Sequence, residues 1–494
     1  MDSPSSCCSL SGIMKINTEV ENSSSARDLS HAETLKKFGL FFQKMGELDL
    51  AVSVYSRVLD LGADSPELRY NFGAARLKQI RPTEALEHFK AAARREPSAQ
   101  GIHLGMASSH QLLGDVTAAE ACLKQELLIN PEAADAAVNL GWILEEQNRV
   151  PEALMEYRKA LYYEPNNPNL RWNHGLACLM LGDFAKGWRD YEFRWKARQK
   201  KKPEFNAPEW RGDPLEGRSL LLHTEQGFGD SIMFLRFARQ LARARNRISL
   251  QCQPQLKRLF AGVPELDSVV APGDALPAFD VHAPLMSLPK LLKLQRETDH
   301  HSPPYISPVD SPSKLPGYKP GYKHIAVTWT SAPHSEITEK KSIPYSLFRN
   351  LFDTPGCQFY SVQINADATA VADMNQRTNV HDLRDHISDF SDTAAVLSQA
   401  DLVISVDTAT AHLAGALGRP SWTLLPHAAD WRWRLHRNDT PWYPTMRLFR
   451  QSRTNQWDGV MEEIQHCLLN YGAELRTSEL AGGVVEAAKT STTS

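Results

Sequence analysis

The sequence predicts an α solenoid of helical hairpins followed by an α/β region of two lobes, each built on a parallel sheet. Two observations carry this. Through the first half, small, aromatic and turn residues recur with a period of 34. Through the second half, apolar runs of four to seven residues alternate with longer amphipathic stretches, which is the β/α alternation of parallel sheets. The 494 residues are 42% hydrophobic, enough for roughly two to four soluble domains.

Charge and cysteine usage narrow the class. A net charge of −3 gives no global attraction to nucleic acid or an anionic membrane. The basic run Lys196 to Lys202 reads as a solvated linker. The cysteines, at positions 7, 8, 122, 178, 252, 357 and 467, form no CxxC pair and no metal-like spacing, so free thiols in a reducing cytoplasm are expected. No apolar run approaches the roughly 20 residues of a membrane span. The start, "MDSPSSCCSL", lacks the basic and long apolar regions of a signal peptide. Residues 1–30 and 475–494 are expected to be disordered.

The repeat is legible position by position. Turn dipeptides start at Gly46, Ile80, Gly114, Asn148 and Gly182. Seven residues earlier stand Gly39, Gly73, Ala107, Gly141 and Gly175, and five later stand Ala51, Ala85, Ala119, Ala153 and Gly187. Tyr55, Phe89, Leu123, Tyr157 and Tyr191 follow, and Pro97, Pro131 and Pro165 end three units. Small residues let the two helices of a hairpin cross closely, the larger residue fills the groove, and proline stops the second helix because it has no N–H to donate. This pattern resembles the tetratricopeptide repeat, with five units over residues 34–198. In that family the face lined by first helices usually binds peptide or protein. The column Lys37, Asn71, Gly105, Asn139, Asn173 lies there. Asn71, Asn139 and Asn173 offer amides suited to a peptide backbone, or to hydrogen bonds between neighbouring helices. The last unit ends "GWRDYEFRW", and Trp188, Tyr191 and Trp195 are expected to pack as a cap against the next domain.

Beyond residue 205 the candidate strands are Ser219–His223, Ile248–Cys252, Ser268–Ala271 and Phe279–His282, then Ile325–Thr328, Gln358–Val362, Leu402–Val406 and Trp422–Leu425. A Pro-rich stretch separates the groups and suggests lobes at 205–300 and 321–470, joined by 301–320. Ligands of open α/β sheets bind beyond the carboxyl ends of the strands, so the cleft between lobes is the expected site.

Two strand-to-helix turns stand out. In "LVISVDTATAHLAGALG" (Leu402 to Gly418), Asp407 is placed to cap a helix. The N–H groups of Thr408, Ala409 and Thr410 open its first turn, where an anion such as a diphosphate is favoured. In "EQGFGD" (Glu225 to Asp230), Gly227 and Gly229 permit tight or left-handed backbone. The spacing fits neither a Walker A loop nor GxGxxG. Asp230 is either a helix cap or a general base.

Four ordered stretches, "LLLHTEQGFGDSIMFLRFA", "VTWTSAPHSEITEKKSIP", "DLVISVDTATAHLAGALGRP" and "DWRWRLHRNDTPWYPTMRLFRQ", resemble glycosyltransferase family nine, the heptosyltransferase superfamily, here following tetratricopeptide repeats. The resemblance implies a GT-B fold of two Rossmann-like lobes. It also implies metal-independent, inverting transfer from a nucleotide-sugar bound mainly by the C-terminal lobe, with no further cofactor. It makes Asp230 the catalytic base. It assigns the diphosphate to Asp407, Thr408, Ala409, Thr410 and His412, with Lys341 neutralising charge. Gln226, Gly227, Gly229 and Trp329 fall at the acceptor side or cleft. Asp430, Trp431 and Arg432 either line the sugar pocket or form a loop packed by its tryptophans. Ala332 and Lys341 stand where close relatives tend to have Asn and Arg, which leaves the donor open.

The leading expectation is a cytoplasmic enzyme whose repeats capture a polypeptide, with flagellin a candidate, and whose GT-B module glycosylates Ser or Thr. The alternatives are a heptosyltransferase acting on lipopolysaccharide or another glycan, and a catalytically inactive scaffold for protein partners.

Overall fold

The computed structural model describes residues 25–225, 227–242, 246–296, 303–308, 314–331 and 339–471. The expected disorder at 1–30 and 475–494 falls largely outside them. The first helix, α1 (Ser25–Met45), begins within the former stretch, where Ala26, Arg27 and Leu29 are strong helix formers.

The repeats form antiparallel pairs: α1 with α2 (Leu48–Asp60), α3 (Pro66–Lys78) with α4 (Pro82–Arg95), and α5 (Ile102–Leu112) with α6 (Val116–Ile129). They continue as α7 (Ala134–Glu146), α8 (Val150–Tyr163), α9 (Pro168–Leu181) and α10 (Phe184–Tyr191). All five turn residues adopt left-handed backbone: Gly46 (φ 85), Ile80 (φ 58), Gly114 (φ 77), Asn148 (φ 59) and Gly182 (φ 88). The same sharp reversal recurs whether or not glycine is present. The small residues are needed for close crossing: a Cβ on Gly39 would come within 2.7 Å of Tyr55 ring atoms, and one on Gly73 would lie 3.0 Å from Phe89 ring atoms. Ala51, Ala85, Tyr55 and Phe89 are accordingly buried. Helices α4, α6 and α8 each end two residues before Pro97, Pro131 and Pro165.

The chain divides into two compact units, residues 1–143 with 158–165, and residues 144–157 with 166–494. The division runs through the fourth hairpin, so the fifth belongs with the α/β half rather than with the other repeats. Its rings explain why. Trp188 lies edge-on to Phe234 (5.9 Å) and Trp431 (5.3 Å), and Tyr191 stacks on Phe234 at 6.5 Å. The aromatic cap therefore shares one apolar core with the α/β lobes.

Within the second unit the first sheet has the order β3-β2-β1-β4, all parallel, from β1 (Leu220–His223), β2 (Ile248–Gln251), β3 (Ser268–Val270) and β4 (Val281–Pro284). The second runs β10-β9-β8-β5-β6-β7, also parallel. Its strands are β5 (Lys323–Thr328), β6 (Cys357–Ser361), β7 (Val380–Asp382), β8 (Leu402–Val406), β9 (Ser421–Leu425) and β10 (Met446–Arg450). Read from its β7 edge this is the doubly wound order 3-2-1-4-5-6, with a switch point between β5 and β8. The two-lobed α/β fold is therefore as the sequence predicts. Between the lobes, α12 (Phe228–Ala242) packs against α15 (Ala409–Ala416). Buried Arg236 of α12 donates to the Trp442 carbonyl (2.8 Å) and the Tyr305 hydroxyl (3.0 Å). At the rim, Arg258 on α13 (Pro254–Ala261) pairs with Asp389 at 2.8 Å, just ahead of α14 (Phe390–Gln399).

Candidate active site

The switch point brings together two chain segments that the sequence keeps 66 residues apart. Lys341, in the segment after β5, forms an ion pair of 2.6 Å with Asp407, which ends β8. Burial would raise the Asp407 carboxyl, but the Lys341 ammonium outweighs it and holds the pKa below the ordinary range. Asp407 does not cap the helix. Thr408 is the N-cap residue and makes no side-chain capping bond. The Asp407 carboxylate is drawn to Lys341 instead, and no side-chain cap covers the first turn of α15. Thr410 is 8% exposed and contributes backbone rather than an accessible side chain.

Across from this turn stands the other motif. Gly227 has φ 95, and a Cβ there would lie 2.8 Å from an Asp230 carboxylate oxygen, so glycine is required on both counts. Gly229 faces His412: a Cβ on it would come 2.7 Å from the imidazole Cδ2. His412 is itself fixed, with Nδ1 2.9 Å from the Tyr443 hydroxyl and its ring stacked on Trp433. Burial pushes its pKa down to about 3, so the ring is neutral at pH 7.

Asp230 is bound by Arg432, whose Nη2 donates to Oδ1 at 2.5 Å, while Nη1 donates to Asp430 at 2.7 Å. Asp430 also accepts from the Arg432 backbone N–H, closing the 3₁₀ turn Trp431–Trp433. The surrounding protein raises the Asp230 pKa by burial, with Arg432 opposing and Asp430 reinforcing the rise. Trp431 packs against Trp188 of the aromatic cap, and Asp430 and Arg432 line a cavity.

That cavity, about 270 Å³, collects Gly227, Gly229, Asp230, Lys341, Asp407 and Thr408, together with Ala409, His412 and the 430–432 trio. Trp329 is a correction. Its indole is 1% exposed and packs on Tyr345 and Phe348 inside the C-lobe core, because its side chain falls on the apolar face of the sheet. Gln226 lies outside the described residues, as does Ala332. Asn71, Asn139 and Asn173 are each half-buried on first helices. Among the described residues, no group of three or more His, Cys, Asp or Glu is placed to hold a metal ion.

Sequence reasoning missed the repeat side of the site. Trp172 and Leu176 of α9, Tyr191 of α10, and Arg198 also line the cavity. Arg194, on α11 (Arg194–Ala197), is 3% exposed and reaches the first lobe's own switch point, between β1 and β4. It donates to Glu225 after β1 (2.9 and 2.5 Å), to Ser287 after β4 (3.0 Å) and to Glu192 (2.7 Å). A charged residue inside "EFRW" was the available signal.

The tetratricopeptide repeat model matches residues 37–100 and 104–169, and the model of glycosyltransferase family 9 (heptosyltransferase) matches residues 385–469. The chain carries tetratricopeptide repeats and a glycosyltransferase family 9 domain. The family 9 match contains Asp407 to His412 and Asp430 to Arg432, whereas Asp230 and Lys341 precede it. Protein FlbA of Caulobacter vibrioides is 24% identical over 478 residues, 90% of this chain and 79% of its own. Among solved structures, a thermophilic tetratricopeptide-repeat protein of Thermus thermophilus is 20% identical (TM-score 0.30), over 34% of this chain and 93% of its own. A tetratricopeptide repeat protein of Parabacteroides merdae is also 20% identical (TM-score 0.31), over 34% and 68%. Among the described residues no helix is long and apolar enough to cross a membrane.

Proposed function

We propose that this family 9 domain is a cytoplasmic protein O-glycosyltransferase, moving a sugar from a nucleotide-sugar to a Ser or Thr hydroxyl of a polypeptide held by the repeats. The observation that carries the proposal is the cavity itself. One carboxylate with a raised pKa faces an uncapped helix start and a lysine, and the fifth repeat supplies part of the wall. The half-buried Asn71, Asn139 and Asn173 give the repeats amides able to meet a peptide backbone.

Asp230 takes the proton of the acceptor hydroxyl while that oxygen bonds to the anomeric carbon. The bond from that carbon to the nucleotide phosphate breaks, and its electron pair leaves with the phosphate. The Ala409 and Thr410 N–H groups and Lys341 stabilise that charge without a metal. One displacement inverts the anomeric centre. Arg432 orients Asp230, and neutral His412 fixes the approach of the lobes. Any hexose, heptose or nonulosonate donor fits this chemistry.

The test is co-expression with acceptor proteins, flagellin first, read by intact mass. A sugar mass gained with the wild type and lost with Asp230→Asn supports the proposal, provided the variant still binds a nucleoside diphosphate by calorimetry. Modification of a purified lipopolysaccharide core in the absence of any protein acceptor would replace it with the glycan reading. No transfer and no nucleotide binding would leave a scaffold.

A further inference from the structure

The basic run from Lys196 to Lys202 is more than a linker: its two ends line two different cavities. Arg198 lines the small cavity beside Asp230, where its guanidinium lies 4.8 Å from the centre of the Trp172 ring. The other cations there are committed, Lys341 to Asp407 and Arg432 to Asp230 and Asp430. Arg198 makes no ion pair among the described residues, and its positive charge reaches Asp230. Lys202, four residues on, lines a larger cavity of about 850 Å³ with Arg211, Arg218, Lys290 and Lys293. Lys202 is paired with Glu209, and Arg218 with Asp213. Arg211, Lys290 and Lys293 have no such partner among the described residues. One acid of that cavity, Glu192, is turned toward Arg194 at 2.7 Å, so the cavity presents an excess of positive charge.

Residues 198 and 202 are at most about 14 Å apart, the reach of four extended residues. An extended peptide with its hydroxyl at Asp230 would cover that distance in roughly four residues, at about 3.3 Å each. We infer that the segment 198–202 is a track for an acidic acceptor peptide, with Arg198 meeting a carboxylate next to the modified residue and Lys290 and Arg211 meeting a second one about four residues away. The inference rests on the proposed protein acceptor and narrows it to a charge class. Trp172 supplies the flat apolar floor on which Arg198 is held.

The test uses the full chain and fluorescein-labelled 12-residue peptides bearing one Ser, with Asp at the first and fifth positions after it. Companion peptides carry Asn or Lys at those positions. Anisotropy in 50 mM salt should show the Asp peptide binding roughly tenfold more tightly than the Asn peptide, with most of the difference lost in 0.5 M salt. The exposed-site variant Arg211→Glu/Lys290→Glu should transfer the preference to the Lys peptide, with nucleoside diphosphate affinity unchanged. Equal binding of the Asp and Asn peptides would overturn the inference. So would a reversal variant that keeps the acidic preference, or tighter binding of an oligogalacturonate than of any peptide. Nucleoside diphosphate binding, measured alongside, separates the two failures. Its absence with intact charge discrimination sinks the transferase proposal alone, and its presence without discrimination sinks the track alone.

Discussion

Gly229→Ala adds a single methyl group where the two lobes meet. Its Cβ would lie 2.7 Å from His412 Cδ2 and 3.6 Å from the Ala409 Cα, whereas ordinary contact begins at 3.4 Å. About 0.7 Å must therefore be found. The imidazole cannot supply it easily, because Tyr443 holds one edge by a 2.9 Å hydrogen bond and Trp433 stacks on the ring. Tyr443 is in turn pressed against Gly415, whose own added Cβ would sit 2.3 Å from the phenol ring. The lobes themselves must shift. Overpacking costs about 1–3 kcal/mol, and replacing glycine by alanine in a helix returns about 1 kcal/mol. The net loss of stability should therefore be about 0–2 kcal/mol. Asp230, the proposed base, is the next residue, however, and a displacement approaching 1 Å in a reacting group costs up to roughly 100-fold in rate. The expected signature is a small change in thermal unfolding with a fall of ten- to a hundredfold in kcat, scored by acceptor mass gain. His412→Ser should relieve part of the loss in the double variant. Activity within twofold of wild type would refute the claim that Gly229 sets the spacing of base and leaving group.

Other outcomes follow from the same structure. Arg194→Ala leaves Glu192 and Glu225 without their cation at a buried site and should cost about 3–5 kcal/mol, seen as a lowered thermal transition and protease sensitivity near residue 225. Ile80 holds φ 58 with its side chain 77% exposed, so Ile80→Gly relieves left-handed strain without losing packing. It should raise the urea midpoint of the repeat transition by an equivalent of about 1 kcal/mol, with the slope unchanged. Burial pushes the Glu145 pKa up to about 8, although Tyr157 donates to it at 3.3 Å. The folded chain thus keeps a proton that the unfolded chain loses above about pH 4.5. Its contribution to stability is full below that pH and is lost as pH rises toward 8, by at most about 1.4 kcal/mol per unit and less where solvent reaches the side chain. Glu145→Gln should flatten that part of the pH profile of thermal stability.

The order of elements was legible because the periodicities are strong. The strands missed, β7 and β10, are the two edges of the six-stranded sheet. β7 is only three residues long, and β10 carries exposed Arg447 amid buried neighbours. Central strands are apolar on both faces and read as runs, whereas edge strands are short or charged and read as loop. In the candidate site, Asp407 and Asp230 stand at strand-to-helix turns that the sequence pattern makes legible, whereas Lys341 and residues 430–432 are reached only through the family resemblance. The local capping rule fails at Asp407 because a lysine 66 residues away in sequence competes for the carboxylate. Trp329 escapes sequence reasoning because strand-end position does not say which face a side chain takes.

The repeat side of the cavity was invisible for a different reason. Trp172, Arg194 and Arg198 belong by sequence to the solenoid pattern, where a tryptophan or arginine at those positions reads as surface. Their meaning comes from packing alone. The fourth hairpin's turn is tied to the α/β region through Lys340–Glu146 (2.6 Å) and through the Asn148 side chain, which donates to the His427 carbonyl (2.8 Å). The fifth is tied through Trp188 and Trp431. Lys340 adjoins Lys341, and Trp431 adjoins Arg432. Repeat residues thus brace the neighbours of Lys341 and of the arginine that holds Asp230. An α/β region cut free after residue 198 would lose both braces and the Trp172–Arg198 wall. The fifth hairpin and the turn of the fourth therefore belong physically to the unit that holds the candidate site.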